Sequence, residues 1–337
     1  MLILYLYQIN FMTKKIFGLF FIVFLSFLGG LITSPYLFTQ NNENIIKEIR
    51  KSYSYKYINP LLECENSSIS QDKNLTSLKK SVEFIIDQQI TNNKISFASV
   101  YYRDLNNGPW MGINEKEYFS PASLIKVPVM MAYLKEAEED PSILEKKIIN
   151  SKAFDYSQQN VTPTEILQLD KEYTIEDLIN RMIIYSDNAA YELLLDNIDN
   201  MKIFKVYKDL DVDISKAQQD PNGNIITVKD YSSFFRILFN SSYLEEKMSE
   251  KALNILSKTQ YYKGLVAGLP QNITVSHKFG ERQFLPSREK QLHDCGIVYL
   301  PNKPYLLCVM SRSTSFDYAA NFIKEVSSAV YTHLSQN

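Results

Sequence analysis

Strand-like segments near both ends of the chain's body constrain the fold more than any other feature of this sequence. Apolar runs bounded by turn residues predict strands at 94–102, 110–113, 273–278, 295–300 and 305–311. Strands this far apart in sequence can share one sheet only if the two ends of the domain come together. The predicted fold class is therefore α/β of the α+β type, with an antiparallel sheet flanked by helices.

Helical patterns complete this prediction. Apolar residues recur at helical spacing in 78–89 and 316–334, before the first strand and after the last one. The segment 127–224 also has mostly helical patterns, and Thr174 is the expected N-cap of one of its helices, with Asp177 as its reciprocal partner. We therefore predict that the sheet domain contains an all-helical insertion.

The domain is predicted to span 77–337, with an α/β part made of 77–126 and 225–337 and a helical part at 127–224. We find no internal repeat. The sequence makes no prediction of oligomeric state.

The first residues have the features of a membrane-targeting segment. Lys14 and Lys15 precede an almost wholly apolar run at 16–32, which approaches the ~20 residues that span a bilayer. We predict that residues 1–39 are an N-terminal membrane anchor, with a cleaved signal segment as the alternative. Residues 40–76, rich in Asn, Ser, Lys and Tyr, are predicted to form a tether.

Charge and cysteine content exclude two classes of protein. The formal net charge of −2, without a basic patch, gives no electrostatic reason to expect nucleic acid as a partner. Three cysteines are too few for a disulfide scaffold. If Ile297 lies opposite Cys308 in a hairpin, Cys295 is offset from Cys308, so we expect no bridge between them and thiols that are buried as apolar groups.

Ser123 and Lys126 carry the first chemical signal. At positions i and i+3 of a helix the two side chains lie on one face, so the amine can reach the hydroxyl. Serine is a weak nucleophile until a neighbouring base takes its proton. Pro121 suits the first turn of a helix, where free backbone N–H groups can stabilise an anion.

Two further motifs follow in a fixed order, Ser186-Asp187-Asn188 and Lys278-Phe279-Gly280. Together with the Ser123-x-x-Lys126 pair, they make the chain resemble the class A β-lactamases and penicillin-recognising serine hydrolases. The resemblance covers the chain from Leu75 to its end. It implies an active site between the sheet and the helical insertion, and substrates outside the cytoplasm. An extracytoplasmic domain is therefore expected, although basic residues after the apolar run oppose this by the positive-inside rule.

The resemblance also implies catalytic roles. Ser123 would attack the carbonyl carbon, with Lys126 as the base or its proton partner. Ser186 and Lys278 would pass a proton to the departing nitrogen. Asn188 would hold the substrate and Lys126 in register.

Substrate binding would use the strand that carries the last motif. Lys278 adds positive charge near the substrate carboxylate, and the backbone N–H groups of Ser123 and Glu281 would form the oxyanion hole. Gly280 would leave room for a substrate along the strand edge.

Release of the acyl group is the step in which this sequence departs most from the family. Members that hydrolyse β-lactams use a glutamate in an E-x-x-x-N loop to activate water. Here Asp220-Pro-Asn-Gly-Asn224 keeps the spacing with a shorter carboxylate, so Asp220 is the candidate base. Phe279 also replaces a threonine whose hydroxyl would help to bind the substrate.

Three functions remain open. The first is a β-lactamase-like serine hydrolase, the second a D,D-carboxypeptidase or penicillin-binding protein acting on peptidoglycan stem peptides, and the third a non-enzymatic cell-wall-binding module. No pair of histidines has the spacing of metal ligands on a helix, so neither a metal nor a cofactor is expected. The expected partners are a small β-lactam or a stem peptide, and the membrane through the N-terminal segment.

Overall fold

The computed structural model describes residues 48–50, 55–64, 73–106, 108–159, 163–215 and 220–336. The predicted membrane segment at 1–39 lies outside these ranges. Within them, no helix combines the length and the apolar character that a bilayer span requires.

Five strands form one antiparallel sheet, as the sequence predicted. They are β3 (Ile95–Asp104), β4 (Trp110–Ile113), β9 (Val275–Gln283), β10 (Lys290–Val298) and β11 (Tyr305–Ser313), in the spatial order β4-β3-β11-β10-β9. The first and last segments of the domain therefore meet through the β3–β11 pair. Strand β9 lies at one edge of the sheet. Strand β9 continues past the predicted end at 278, and β10 begins before the predicted start at 295, because polar residues continue their ladders. The predicted residues 273–274 and 299–300 lie outside these two strands.

Short strand pairs lie outside this sheet. They are β1 (Glu48–Arg50) with β2 (Leu61–Cys64), β5 (Tyr118–Phe119) with β8 (Ile226–Thr227), and β6 (Lys147–Ile149) with β7 (Glu172–Thr174). The β6–β7 pair and the loop between its strands interrupt a region that we predicted to be mostly helical. Short runs in this region do not distinguish a helix from a strand by period alone.

The described residues contain eight α-helices. They are α1 (Lys73–Thr91), α2 (Lys126–Glu139), α3 (Ile175–Ile184), α4 (Asn188–Leu195), α5 (Asn200–Asp209), α6 (Val228–Asn240), α7 (Glu246–Leu256) and α8 (Phe316–Gln336). On α1, Leu78, Val82 and Ile86 repeat every four residues and are buried with α8 against one face of the sheet. Each such side chain contributes about 1.5–3 kcal/mol on burial.

The helical part packs on the opposite face of the sheet around α2, which is buried from Lys126 to Leu134. Thr174 caps α3 as predicted, accepting a hydrogen bond from the N–H of Asp177 at 3.1 Å. The reciprocal half of that prediction is wrong, because the Asp177 carboxylate accepts instead from Arg181 Nε at 3.0 Å.

The expectation that Cys295 and Cys308 are not bridged is also wrong. The β10–β11 loop begins after Val298, so Val298 pairs with Tyr305 and Ile297 with Leu306. This register puts Cys295 directly opposite Cys308, and a disulfide joins them. Both residues are buried, as predicted.

Part of the segment predicted to be a tether packs on the domain. The Glu250 carboxylate on α7 accepts hydrogen bonds from three successive N–H groups, those of Lys56, Tyr57 and Ile58, each at 3.0 Å. Tyr57 and Ile58 are buried. We call residues 55–60 the docked segment.

Candidate active site

Ser123 lies in a short 3₁₀ helix, Ala122–Ile125, which continues directly into α2. Its side chain is half-buried. Ala122 has a left-handed backbone, with φ of 46°, so the chain turns sharply just before the serine. We predicted an α-helical start here, and the tighter 3₁₀ turn replaces it.

Lys126 is almost completely buried and surrounded by acceptors. Its Nζ donates to the backbone oxygen of Ser186 at 2.6 Å, to Asn188 Oδ1 at 2.5 Å and to Ser186 Oγ at 3.3 Å. Burial lowers the pKa of Lys126 to about 7, against the opposing charge of Asp187. Near neutral pH a large fraction of this amine is therefore neutral and able to accept a proton, whereas an ordinary surface lysine is almost wholly protonated.

Lys278 brings a second amine to the same hydroxyl. It projects from β9, is fully buried, and donates to Ser186 Oγ at 2.9 Å and to its neighbour's carbonyl, Phe279 O, at 2.9 Å. Burial, and then the nearby charge of Lys126, lower the pKa of Lys278 well below its ordinary value. The Ser186 hydroxyl thus connects two amines whose pKa values are both lowered.

The Ser186-Asp-Asn turn is both a structural cap and part of this cluster. Asp187 accepts hydrogen bonds from the N–H groups of Ala189 and Ala190, which makes it the N-cap of α4. Ser186 takes a left-handed backbone, with φ of 56°. The cap thereby aims Ser186 and Asn188 at Lys126. We call Lys126, Ser186, Asn188 and Lys278 the amine cluster.

Gly280 brings β9 against the turn that carries Ser123. A Cβ atom at this position would lie 3.0 Å from Pro121 O and 3.1 Å from Leu124 N. Close approach of the turn, and not only clearance for a substrate, therefore favours glycine here, since a side chain would make the turn move by a few tenths of an ångström. Glu281 is the next residue of β9, and its role in an oxyanion hole with Ser123 stays a prediction.

Phe279 is buried in the sheet's core. Its ring belongs to the core on the α8 side of the sheet and stacks on Tyr261, with ring centroids 4.2 Å apart. Lys278 Nζ also lies 4.2 Å from the centroid of this ring. Replacement of a threonine by Phe279 therefore removes a hydroxyl from the strand and puts an aromatic ring beside one amine of the amine cluster.

Ser120, three residues before Ser123, is held by side chains that the sequence analysis missed. Its N–H donates to Gln291 Oε1, its carbonyl accepts from His293 Nε2, and its hydroxyl accepts from Arg282 Nη1, each at 3.0 Å. Burial lowers the pKa of His293 to about 3, so the ring is neutral at ordinary pH. Alternation along the late strands was the only signal, because these residues form no motif.

Asp220 lies apart from the amine cluster in its hydrogen bonding. Its Oδ1 accepts from Asn222 N at 2.7 Å and its Oδ2 from Asn224 Nδ2 at 3.3 Å. We call this segment, residues 220–224, the release loop. It is anchored just beyond its end, where Ile225 N donates to Phe119 O at 2.9 Å.

The histidines do not form a metal centre in the part of the chain that the structure describes, where no group of three or more potential ligands occurs. His277 lies 2.8 Å from Asp294 Oδ1 through its Nδ1, on the side of β9 opposite Lys278. Asp294 also accepts from Leu265 N at 2.9 Å, so this pair fixes a turn behind the strand.

Comparisons with known proteins give a match to a family model and a similar sequence. A family model described as "Beta-lactamase enzyme family" matches residues 78–334. The β-lactamase VEB-1 of Pseudomonas aeruginosa is 22% identical over 223 residues, which are 58% of this chain and 71% of that protein.

Solved structures match over most of the domain. A structure of PBP-A aligns with a TM-score of 0.65 at 21% identity, covering 80% of this chain and 100% of that one. The extended-spectrum β-lactamase TLA-1 aligns with a TM-score of 0.66 at 20% identity, covering 78% and 99%. A class A β-lactamase from Bacteroides cellulosilyticus gives 0.65 at 20% identity, covering 77% and 99%. At this identity the likeness shows the fold.

Proposed function

The chain belongs to the beta-lactamase enzyme family, and we propose that it hydrolyses a β-lactam amide through an acyl-enzyme formed on Ser123. The observation that carries this proposal is the amine cluster: Lys126, three residues after Ser123 in the sequence, is buried, bonds Ser186 and Asn188, and has a pKa lowered to about 7. A base with a pKa near the working pH combines availability with proton-transfer strength.

The proposed acylation step begins at the serine hydroxyl. Ser123 Oγ attacks the carbonyl carbon while its proton passes to neutral Lys126 Nζ. The C–N bond then breaks, and the departing nitrogen takes a proton through the hydroxyl of Ser186, which Lys278 and Lys126 both contact. The ester on Ser123 is the product of this half-reaction.

Two backbone N–H groups complete the proposed site. Those of Ser123 and Glu281 would flank the carbonyl oxygen and stabilise its negative charge. The contact of Gly280 with the turn at Pro121 and Leu124 supports this placement. Water, activated by Asp220, would then hydrolyse the ester.

A D,D-peptidase is the second candidate. It is favoured by the release loop, whose carboxylate is bonded within the loop itself, because a peptidase that transfers or slowly releases its acyl group has less need of a water-activating base. Among the similar structures is an acyl-enzyme complex of a PBP-A mutant with penicillin G. In either case we propose an extracytoplasmic domain held at the membrane by its N-terminal segment.

The test uses the full chain, because the docked segment packs on the domain. The protein is mixed with a chromogenic cephalosporin and separately with penicillin G, while colour and the mass of the protein are followed. Rapid colour supports the hydrolase, and a long-lived adduct on Ser123 supports the peptidase. Absence of both, or an adduct that persists in Ser123→Ala, would contradict acyl-enzyme chemistry at this serine.

A further inference from the structure

Gln291 connects the turn that carries Ser123 to the release loop. It lies on β10 and its side chain is fully buried. Its Oε1 accepts from Ser120 N and its Nε2 donates to Asn224 Oδ1, both at 3.0 Å. Asn224 Nδ2 donates in turn to Asp220 Oδ2 at 3.3 Å.

The direction of this chain of hydrogen bonds is fixed by its first member. A backbone N–H can only donate, so the Gln291 atom facing Ser120 must be the oxygen. The amide nitrogen of Gln291 then faces Asn224, which must present its own oxygen there. The nitrogen of Asn224 is left to face Asp220, and the chain ends on a carboxylate oxygen kept as an acceptor.

We propose that Gln291 is a positioning residue for acyl-enzyme hydrolysis, because it holds Asp220 at a fixed place relative to Ser123. This inference rests on the proposed function, in which Asp220 activates the hydrolytic water. The backbone contact at Ile225 anchors only the end of the release loop. Gln291 instead holds, through Asn224, the carboxylate side chain whose position the reaction depends on.

Loss of the bond between Gln291 and Asn224 should slow deacylation and not acylation. The amine cluster makes no hydrogen bond with Gln291, so loss of the bond to Asn224 leaves the acylating groups in place. A displacement of Asp220 by about 1 Å would slow deacylation on the order of 100-fold. A residue that merely stabilised the fold would slow both steps together.

The experiment compares Gln291→Glu and Asn224→Asp with the parent chain. Glu at 291 keeps an acceptor for Ser120 N but lacks the hydrogens that Gln291 donates to Asn224. Asp at 224 keeps an acceptor for Gln291 but turns an oxygen towards Asp220. Acylation by penicillin and decay of the Ser123 adduct are timed by quenched mass spectrometry, and thermal melting checks folding.

In both variants we expect adduct decay to slow about 10- to 100-fold and acylation to change less than about threefold. The double variant should be no slower than the slower single variant, since both break one chain. Glu289→Ala is the matched control, because it removes the other acceptor of Gln291 Nε2, 3.2 Å away, without touching Asn224.

Equal slowing of acylation and adduct decay, or unchanged adduct decay in Gln291→Glu, would overturn the role of Gln291. The proposed function fails separately. If the Ser123 adduct decays as fast in Asp220→Asn as in the parent chain, Asp220 is not the base. If adduct decay is slow in Asp220→Asn but not in Gln291→Glu, only the positioning role of Gln291 is lost. A parent chain that forms no adduct overturns both.

Discussion

The amine cluster and the release loop differ in burial and in the partners of their hydrogen bonds. In the cluster, Lys126 and Lys278 are buried, and both bond Ser186. In the release loop, Pro221 and Asn222 are exposed, and Asp220 bonds mainly to neighbours in its own loop. The two lysines that would assist formation of an acyl-enzyme are thus held in the core, while Asp220, which would release it, is half-buried in a partly exposed loop.

Under the proposed function, this difference predicts which of the two steps limits turnover. Burial supplies the energy that lowers the pKa of both lysines, and it depends on the packing of the helical part against the sheet. The release loop is joined to the sheet by the hydrogen bond from Gln291 to Asn224, and just beyond its end Ile225 N donates to Phe119 O. We therefore expect acylation to be the faster half-reaction and the Ser123 adduct to accumulate.

The largest expected effect is the loss of the neutral lysine. Lys126→Arg places a permanent cation beside Ser186 and should slow acylation about 10³-fold, within the range of general base catalysis. Adduct formation measured by mass is the test. Lys135→Arg, a half-exposed position on the same helix, is the matched control and should behave as the parent. If Lys126→Arg forms the adduct as fast as the parent chain, Lys126 is not the general base.

The pH dependence of the parent sharpens this prediction. The pKa of Lys126 is about 7, so below pH 7 the amine is protonated and cannot accept a proton from Ser123. Acylation should rise about tenfold per pH unit up to pH 7 and level off above it. The rate of adduct formation between pH 5 and 9 measures this. A flat profile would contradict the role of Lys126.

Removal of the bridging hydroxyl should have the next largest effect. Ser186→Ala breaks the link between Lys278 and Lys126, and we expect acylation to slow about 100-fold because the departing nitrogen loses its proton donor. Decay of any adduct should change little. The control is Ser249→Ala, which removes a buried hydroxyl from α7 far from the motifs in sequence. Equal slowing of both steps would indicate damage to the fold.

The amine cluster could be predicted from the sequence because its members lie in motifs of fixed spacing. Ser186 and Lys278 meet at 2.9 Å although 92 positions separate them. The sheet was predictable for a similar reason, since strand patterns at both ends require them to meet. The exact strand pairing was not, because the loop after Val298 set the register that joins Cys295 to Cys308.

The support around the release loop could not be predicted. Gln291 and His293 are ordinary polar residues in an alternating strand, and only the three-dimensional register brings both to Ser120. Likewise, nothing in the composition of 40–76 distinguishes the docked segment, which depends on the Glu250 carboxylate. Contacts between single residues far apart in sequence leave no local pattern.

Lengthening the carboxylate at position 220 tests the role of the release loop. Asp220→Glu adds one methylene and extends the acid beyond the bonds it makes to Asn222 and Asn224. We expect adduct decay to slow about tenfold, with acylation unchanged, because the extended acid leaves the place at which Asn224 and Gln291 hold the Asp220 carboxylate. Asp220→Asn should also slow decay, because an amide cannot take a proton from water. If both substitutions leave decay unaltered, the release loop takes no part in hydrolysis.

The smallest expected effect on catalysis comes from the docked segment, which lies outside both regions. Glu250→Gln replaces one of the two oxygens that accept from Lys56, Tyr57 and Ile58. A hydrogen bond to a charged group contributes about 1.5–3 kcal/mol, so the free energy of unfolding should fall by about that amount. Denaturant unfolding measures this, and the ratio of acylation to deacylation rates should stay within about twofold of the parent. A changed ratio would mean that the docked segment acts on the site, and the contrast between the amine cluster and the release loop would then depend on packing beyond either of them.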